Sequence, residues 1–190
     1  MHAGAGAPGA SLVGCGLGGG GLHDLVLVVG AEQQKTMSPA DGAEVLAAAA
    51  DWNVEKPLYG EHMMPKMFAG IAATYAARHG LSEHQLAAVV LKNYAHARLN
   101  PLAQMRDASM TAEKALTVCD ANPRFAPPLK ITDCSQITDG AAAVVLASER
   151  FLRRGRSLAL AGFGHTTDVL RLDGKSVPDF PVVRRAAEQA

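Results

Sequence analysis

A continuous apolar run from Leu25 to Val29 predicts a β-strand that is covered on both faces. Runs of this kind, rich in leucine and β-branched residues, are typical of strands in parallel α/β sheets, where helices cover both faces. Two further runs, Gly140 to Ala147 and Leu158 to Phe163, predict two more strands. We expect the first two strands to be parallel and adjacent, or nearly adjacent, in one sheet.

Between the first two runs the apolar positions change to helical spacing. A helix is predicted over 65–79, with Pro65 in its first turn and Gly80 as its C-terminal cap. Another helix follows, because Ser82 and Gln85 have the spacing of a capping box. Shorter helices are predicted over 43–50 and 112–119. Residues 36–130 are therefore predicted to form a mostly helical subdomain that lies between strands.

Thirteen of the first 21 residues are glycine or alanine. Glycine costs up to about 1 kcal/mol relative to alanine within a helix, so an isolated helix of this composition would not hold. Two interpretations stay open. The segment is either a disordered tail or a helix that is buried among close neighbours.

Composition and charge exclude several classes of partner. The chain has 18 Lys and Arg against 18 Asp and Glu, so it lacks the basic excess on which binding to a phosphate backbone rests. No apolar run approaches the roughly 20 residues that span a bilayer, and no basic region of a secretory signal begins the chain. The sequence predicts an intracellular protein without a membrane anchor or a nucleic-acid partner.

The three cysteines, Cys15, Cys119 and Cys134, are widely spaced and form no Cys-x-x-Cys pair. An odd, dispersed set favours reduced thiols over a disulfide framework or a zinc site. The histidines show no ligand spacing either, so no metal site is predicted. A Cys/His nucleophile requires contact between the two side chains, and the spacing gives no support for one.

Three strings of residues together point to a family. They are Leu-Val-Val-Gly-Ala-Glu at 27–32, Lys-Asn-Tyr-Ala-His-Ala-Arg-Leu-Asn-Pro at 92–101 and Asp-Cys-Ser-Gln-Ile-Thr-Asp-Gly-Ala-Ala-Ala-Val-Val-Leu-Ala at 133–147. Their order and spacing resemble the thiolase superfamily, most closely the sterol-carrier-protein-2 type thiolases and thiolase-like proteins. The chain resembles part of such a protein.

The resemblance implies an α/β fold of layered βαβαβαββ halves with a helical loop domain inserted in the first half. On that template the chain divides into four segments: 1–35 as the central helix and strand of the first half, 36–130 as the loop domain, 131–156 as the end of the first half, and 157–190 as the start of the second half.

The resemblance also implies a nucleophilic cysteine at the start of the central helix. That position falls near Met1 to Gly4, where no cysteine stands, and Cys15 lies about three turns further on and is interpreted as a packing residue. The acid/base motifs of the second half have no match before Ala190. No catalytic residue is assigned, and the enzyme status of this chain stays open, although the complete form resembles an acetyl-CoA acyltransferase.

Three residues are assigned to coenzyme A by the resemblance. Ser135 stands where the family hydrogen-bonds a pantetheine amide, and His62 and Met63 stand where it lines the pantetheine and acyl groups. Two of these assignments have alternatives: Ser135, with the Asp139-Gly140 pair after it, also fits an ordinary turn, and Met63 also suits a helical core. Coenzyme A would be a substrate, with no tightly bound cofactor.

The function implied by the resemblance is acyl transfer on 3-ketoacyl-CoA, with cleavage or formation of a carbon–carbon bond, in fatty acid or sterol metabolism. The alternative is a thiolase-like subunit without the nucleophile, acting as an acyl-CoA aldolase component or as a non-catalytic acyl-CoA or lipid-binding protein. An unrelated helical interaction module is a third interpretation. Expected partners are acyl-CoA and a second copy in a homodimer or tetramer, or a complementing half or partner subunit, in the cytoplasm or a peroxisome-like organelle.

Overall fold

The structure is a computed structural model that describes residues 21–151 and 157–190. It is a mixed α/β arrangement, as the sequence predicts. The elements of the described residues are β1 (Leu25–Glu32), α1 (Pro39–Ala47), α2 (Trp52–Tyr59), α3 (Met63–His79), α4 (Glu83–Leu99), α5 (Ala112–Leu116), β2 (Gly140–Ala147) and α6 (Pro181–Gln189). Single 3-10 turns lie at Ile131–Asp133, Glu149–Phe151 and Leu172–Gly174.

The strands β1 and β2 are adjacent, which confirms the predicted pairing, but they run antiparallel. Val28 lies opposite Val144 in the register. The predicted parallel direction was wrong. An apolar run indicates that both faces of a strand suit burial, but it does not indicate the direction of the strand. Mixed sheets often include an antiparallel strand. Leu27 and Val145 are more than 60% exposed, so the described residues do not supply the expected cover.

The third predicted strand is absent from the described part of the chain. Residues 157–163 have no assigned helix or strand and pair with neither β1 nor β2. Their apolar pattern alone does not form a strand, because a strand exists only where another strand supplies its hydrogen-bond partners.

Side-chain oxygens fasten both ends of the two-stranded sheet. Beyond the end of β1, the backbone N–H groups of Gln34 and Lys35 donate to Oδ1 of Asp139 at 2.6 and 2.8 Å. These bonds, that from Lys35 first, lower the pKa of the Asp139 carboxyl group. At the opposite end the Ser148 hydroxyl donates to Asp24 at 2.9 Å. The register of the pair is thus fixed from both sides.

The two long helices lie close to where the sequence pattern predicts them. α3 ends at His79, and Gly80 follows with φ of +71°, a conformation that other residues rarely adopt. α4 begins after Ser82, whose hydroxyl accepts from the Gln85 N–H at 3.3 Å while Gln85 Oε1 accepts from the Ser82 N–H at 2.8 Å. The predicted capping box is therefore present.

Two helices, α2 and α6, lie where the sequence pattern predicts none. In α2 the Asp51 side chain accepts from the Val54 N–H at 3.3 Å, and the Glu55 carboxylate accepts from the Asp51 N–H at 2.8 Å. These bonds satisfy the first turn, which allows the helix to form although Pro57 lies inside it.

The helices α2 to α5 belong to one compact unit, residues 43–136 and 166–185, and the two strands belong to another. The buried apolar residues of the helical unit form three small clusters, in which alanine is the commonest type: Ala47, Met63 and Met67; Ala69, Ala126 and Leu129; Ala87, Val90 and Ala115. Small side chains allow the backbones of these helices to approach closely. None of the described helices has the length and apolar character to cross a membrane.

Candidate functional site

Ser135 follows the single 3-10 turn Ile131–Asp133 and is exposed to solvent. The turn is closed by two backbone bonds, from the Asp133 N–H to the Lys130 carbonyl at 3.1 Å and from the Cys134 N–H to the Ile131 carbonyl at 3.0 Å. The backbone is therefore held up to Cys134, and the Ser135 hydroxyl is presented directly beyond the held segment.

The Asn122 side chain anchors this turn through hydrogen bonds. Its oxygen accepts from the Thr132 N–H at 3.0 Å, and its nitrogen donates to the carbonyls of Thr117 and Lys114 at 2.9 and 3.2 Å. Asn122 is only 4% exposed, so water does not compete for these bonds. The turn before Ser135 is tied in this way to α5 and the residues that follow it.

A row of alternating charges connects the same turn to the start of α4. The Lys130 side chain is fully buried and its Nζ lies 3.0 Å from Oδ2 of Asp133 and 4.0 Å from Oε2 of Glu83. The Arg124 guanidinium binds the other oxygen of Glu83 and lowers the pKa of that carboxyl group. Each charge in the row has an opposite neighbour, which makes the burial of Lys130 tolerable.

The thiol of Cys134 is poorly suited to nucleophilic attack. Its half-buried position raises its pKa, and the negative charge of Asp133 raises it further. The thiolate is the reactive form of cysteine, so a raised pKa leaves little of it at neutral pH. The structure therefore places a thiol with a raised pKa directly before Ser135.

His62 and Met63 stand together in sequence but have different environments. His62 is exposed, adopts the left-handed conformation with φ of +54°, and directs its ring edge-on to Phe125 with the ring centroids 5.8 Å apart. Met63 is only 1% exposed and packs in the cluster with Ala47 and Met67. The structure thus gives Met63 the position of a core side chain and leaves the His62 ring open to solvent.

His62 is connected to the Ser135 turn through the segment between α5 and β2. Phe125, which the His62 ring contacts, packs against the cluster of Ala126 and Leu129, and Leu129 directly precedes Lys130. Among the described contacts this is an indirect connection. It places the start of α3 and the Ser135 turn against one continuous stretch of chain.

Sequence reasoning missed Asn122 and the pair of Lys130 with Asp133. Lysine is usually exposed, and an asparagine near a proline usually belongs to a turn. One signal was available, since Lys130 stands between Leu129 and Ile131 with an acidic residue three positions later. Within residues 21–151 and 157–190, no three His, Cys, Asp or Glu side chains form a group that could hold a metal ion.

Comparison with known proteins identifies relatives by sequence. No protein-family model matches the chain. It is 31% identical over 126 residues to an acetyl-CoA acetyltransferase of Methanothermobacter thermautotrophicus, a match that covers 66% of this chain and 30% of that protein. It is 29% identical over 140 residues to sterol carrier protein 2 of Gallus gallus, covering 71% of this chain and 25% of that protein.

A solved structure shares the fold. The chain superimposes on a chain of the "Ltp2-ChsH2(DUF35) aldolase" with a TM-score of 0.74 at 20% identity, over 96% of this chain and 47% of that one. The matches to the two curated relatives above span 25–30% of those proteins. The resemblance of the three sequence strings is confirmed: the chain is related to the thiolase-like superfamily over the part of those proteins that it matches.

Proposed function

We propose that this chain is part of an acyl-CoA-binding, thiolase-type protein and that Ser135 contacts the pantetheine arm of coenzyme A. The observation that carries the proposal is the exposed Ser135 hydroxyl at the end of a turn that is anchored from two sides. A serine hydroxyl both donates and accepts, so it can satisfy either end of an amide. Because the turn is already fixed, little ordering is needed when the ligand binds.

His62 and Met63 form the second part of the proposed site. The His62 imidazole is accessible at the start of α3, and Met63 lies buried directly after it. In the proposal the ring meets the ligand and the thioether forms an apolar floor beneath, which suits the unbranched and polarizable methionine side chain. The layered thiolase halves, with residues 36–130 as the loop domain, are part of the same proposal.

The proposed reaction is acyl transfer on 3-ketoacyl-CoA. A thiolate would attack the 3-keto carbon, the bond between C2 and C3 would break, and acetyl-CoA would leave as an enolate that takes up a proton. The acyl group would then pass from the enzyme to the thiol of a second coenzyme A. In this proposed reaction the described residues bind the ligand. No bond-breaking step is assigned to Cys134, because its pKa is raised.

A second candidate is an acyl-CoA aldolase component or a non-catalytic acyl-CoA-binding subunit that works with a partner. It is supported by the shared fold with a chain whose name describes an aldolase assembly. Incubation of the complete protein with acetoacetyl-CoA and coenzyme A, and separately with a 3-hydroxyacyl-CoA, distinguishes the two candidates. Release of two acetyl-CoA molecules supports the thiolase, and carbon–carbon cleavage only of a 3-hydroxyacyl-CoA supports the aldolase component.

Binding is tested by calorimetric titration of acetyl-CoA into the chain and its Ser135→Ala and Cys134→Ala variants. A buried pantetheine amide that loses its partner costs about 1–3 kcal/mol, so Ser135→Ala should weaken binding roughly 5- to 150-fold. Cys134→Ala removes a small apolar group and should leave the Kd within about twofold. Gln136→Ala, at the next exposed polar side chain, is the matched control. Equal affinities for all variants would remove Ser135 from the site.

A further inference from the structure

We propose that Lys130 and Asp133 are positioning residues whose buried ion pair holds Ser135 in the orientation that acyl-CoA requires. The inference rests on the proposed function, because Ser135 is there the residue that contacts the ligand. Neither side chain can itself touch a ligand, since Lys130 is 0% exposed and the Asp133 side chain 1%. Their effect on binding must therefore pass through the backbone.

One carboxylate oxygen makes both bonds of this pair. Asp133 Oδ2 accepts from the Lys130 backbone N–H at 2.8 Å and from the Lys130 Nζ at 3.0 Å. The first bond closes a hydrogen-bonded ring from residue 130 to residue 133, and the second brings the lysine charge to the same oxygen. Oδ1 is buried and has no partner among the described residues, so within this part of the chain the carboxylate bonds only to Lys130.

The closed ring determines where Ser135 stands. The Cys134 N–H is bonded to the Ile131 carbonyl at 3.0 Å, so each peptide unit from Lys130 to Cys134 belongs to a bonded turn. Ser135 is the first exposed residue after it. A change in the Lys130–Asp133 pair thus moves the peptide that carries the Ser135 hydroxyl without altering the hydroxyl itself.

The cost of burying charge argues that the pair has a role other than stability. Removing two charges from water is unfavourable, and an apolar pair of similar volume often folds equally well. This pair additionally depends on Glu83, 4.0 Å from the lysine, which is itself bonded to Arg124. A directional bond to a backbone N–H is what an apolar pair would not reproduce.

The test is a double-mutant cycle in the full 190-residue chain, with acetyl-CoA affinity as the readout. The variants are Lys130→Met and the apolar pair Lys130→Met with Asp133→Leu, each made with Ser135 and with Ser135→Ala. We expect the apolar pair to retain the circular dichroism spectrum and a single thermal transition, and to bind acetyl-CoA about fivefold or more weakly. With Ser135→Ala present, the same change should alter the Kd by less than about twofold, because the two effects share one contact.

Glu55→Gln is the matched control, because Glu55 is another buried carboxylate of the same unit and accepts the Leu172 N–H at 2.7 Å. Its Kd should stay at the level of the unmodified chain. An equal loss of affinity in both Ser135 backgrounds, an equal loss in Glu55→Gln, or failure of the apolar pair to fold would each assign the Lys130–Asp133 pair to general stability and overturn the inference.

Failure of the proposed function has a different signature. If the unmodified chain does not bind acetyl-CoA, or if Ser135→Ala binds as well as the unmodified chain, the proposed function is wrong and the positioning role falls with it. If Ser135→Ala weakens binding and the apolar pair does not, only the positioning role is wrong.

Discussion

The backbone N–H of Thr132 donates to the side-chain oxygen of Asn122 at 3.0 Å, so the turn before Ser135 is fixed by a residue ten positions earlier. The same amide uses its nitrogen to hold the carbonyls of Thr117 and Lys114. One buried side chain therefore joins three backbone segments. The order of this region depends in part on one amide group.

The first prediction follows from that dependence. Asn122→Ala should lower the free energy of unfolding by about 1–3 kcal/mol, because buried backbone groups lose their partners. Asn122→Asp keeps the acceptor for Thr132 and loses both donations, so it should also destabilise the protein. Urea unfolding followed by circular dichroism measures the effect. Asn53→Ala, at an exposed position on α2, is the control, and equal stability of the two alanine variants would contradict the prediction.

The second prediction concerns thiol reactivity. Burial and the charge of Asp133 raise the pKa of Cys134, whereas Cys119 is exposed. Cys134 should therefore react more slowly with iodoacetamide near neutral pH, and its rate should rise as the pH approaches the raised pKa. Mass spectrometry of the labelled peptides gives both rates. Asp133→Asn removes one of the two causes of the raised pKa and should speed the labelling of Cys134. Faster labelling of Cys134 than of Cys119 in the unmodified chain would refute the raised pKa of Cys134.

The third prediction is a dependence of stability on pH through Asp139. Its pKa is lowered in the folded state by the N–H groups of Lys35 and Gln34, so its contribution is present above the unfolded pKa and is lost as the pH falls through the folded value. The stability difference between the unmodified chain and Asp139→Asn should shrink below about pH 4. Thermal unfolding from roughly pH 3 to roughly pH 7 measures it. Asp107→Asn, at an exposed site, should show no such change, and a parallel pH dependence in the two variants would argue against the Asp139 bonds.

The fourth prediction tests the capping box of α4. Ser82→Ala should reduce the free energy of unfolding by about 1 kcal/mol, because the Gln85 N–H loses its acceptor at the helix start. Chemical unfolding compared with Ser157→Ala, at an exposed position outside any helix or strand, isolates the cap from the general effect of the substitution. Identical unfolding midpoints for the two variants would show that the cap contributes nothing.

Local signals allowed the long helices to be predicted. Gly80 marks the end of α3 because a glycine readily takes a positive φ there, and Ser82 marks the start of α4 because its side chain satisfies a backbone group. α2 escaped prediction because Pro57 stands inside it, and a proline removes one backbone donor. The direction of β2 could not be predicted, because it is set by the path of the chain and not by the residues of the strand.

The candidate site was predictable only in part for a similar reason. The string from Asp133 to Ala147 identified the Ser135 turn, because that string carries the family resemblance. The burial of Lys130 depends on Asp133, three positions later, and on Glu83, which approaches from a distant part of the chain. A contact between distant positions has no local pattern, so a lysine in the sequence is assigned to the surface by its type.

The antiparallel pairing of β1 with β2 has a consequence for the order of folding. The bond from Gln34 to Asp139 joins positions 105 residues apart, whereas the helices between them form from contacts within a few residues. Closing a long loop costs chain entropy before the pairing returns any stability, so contacts of high sequence separation form slowly. During refolding, the amides of α3 and α4 should gain protection from hydrogen exchange first. Those of β1 and β2 should gain it later and together.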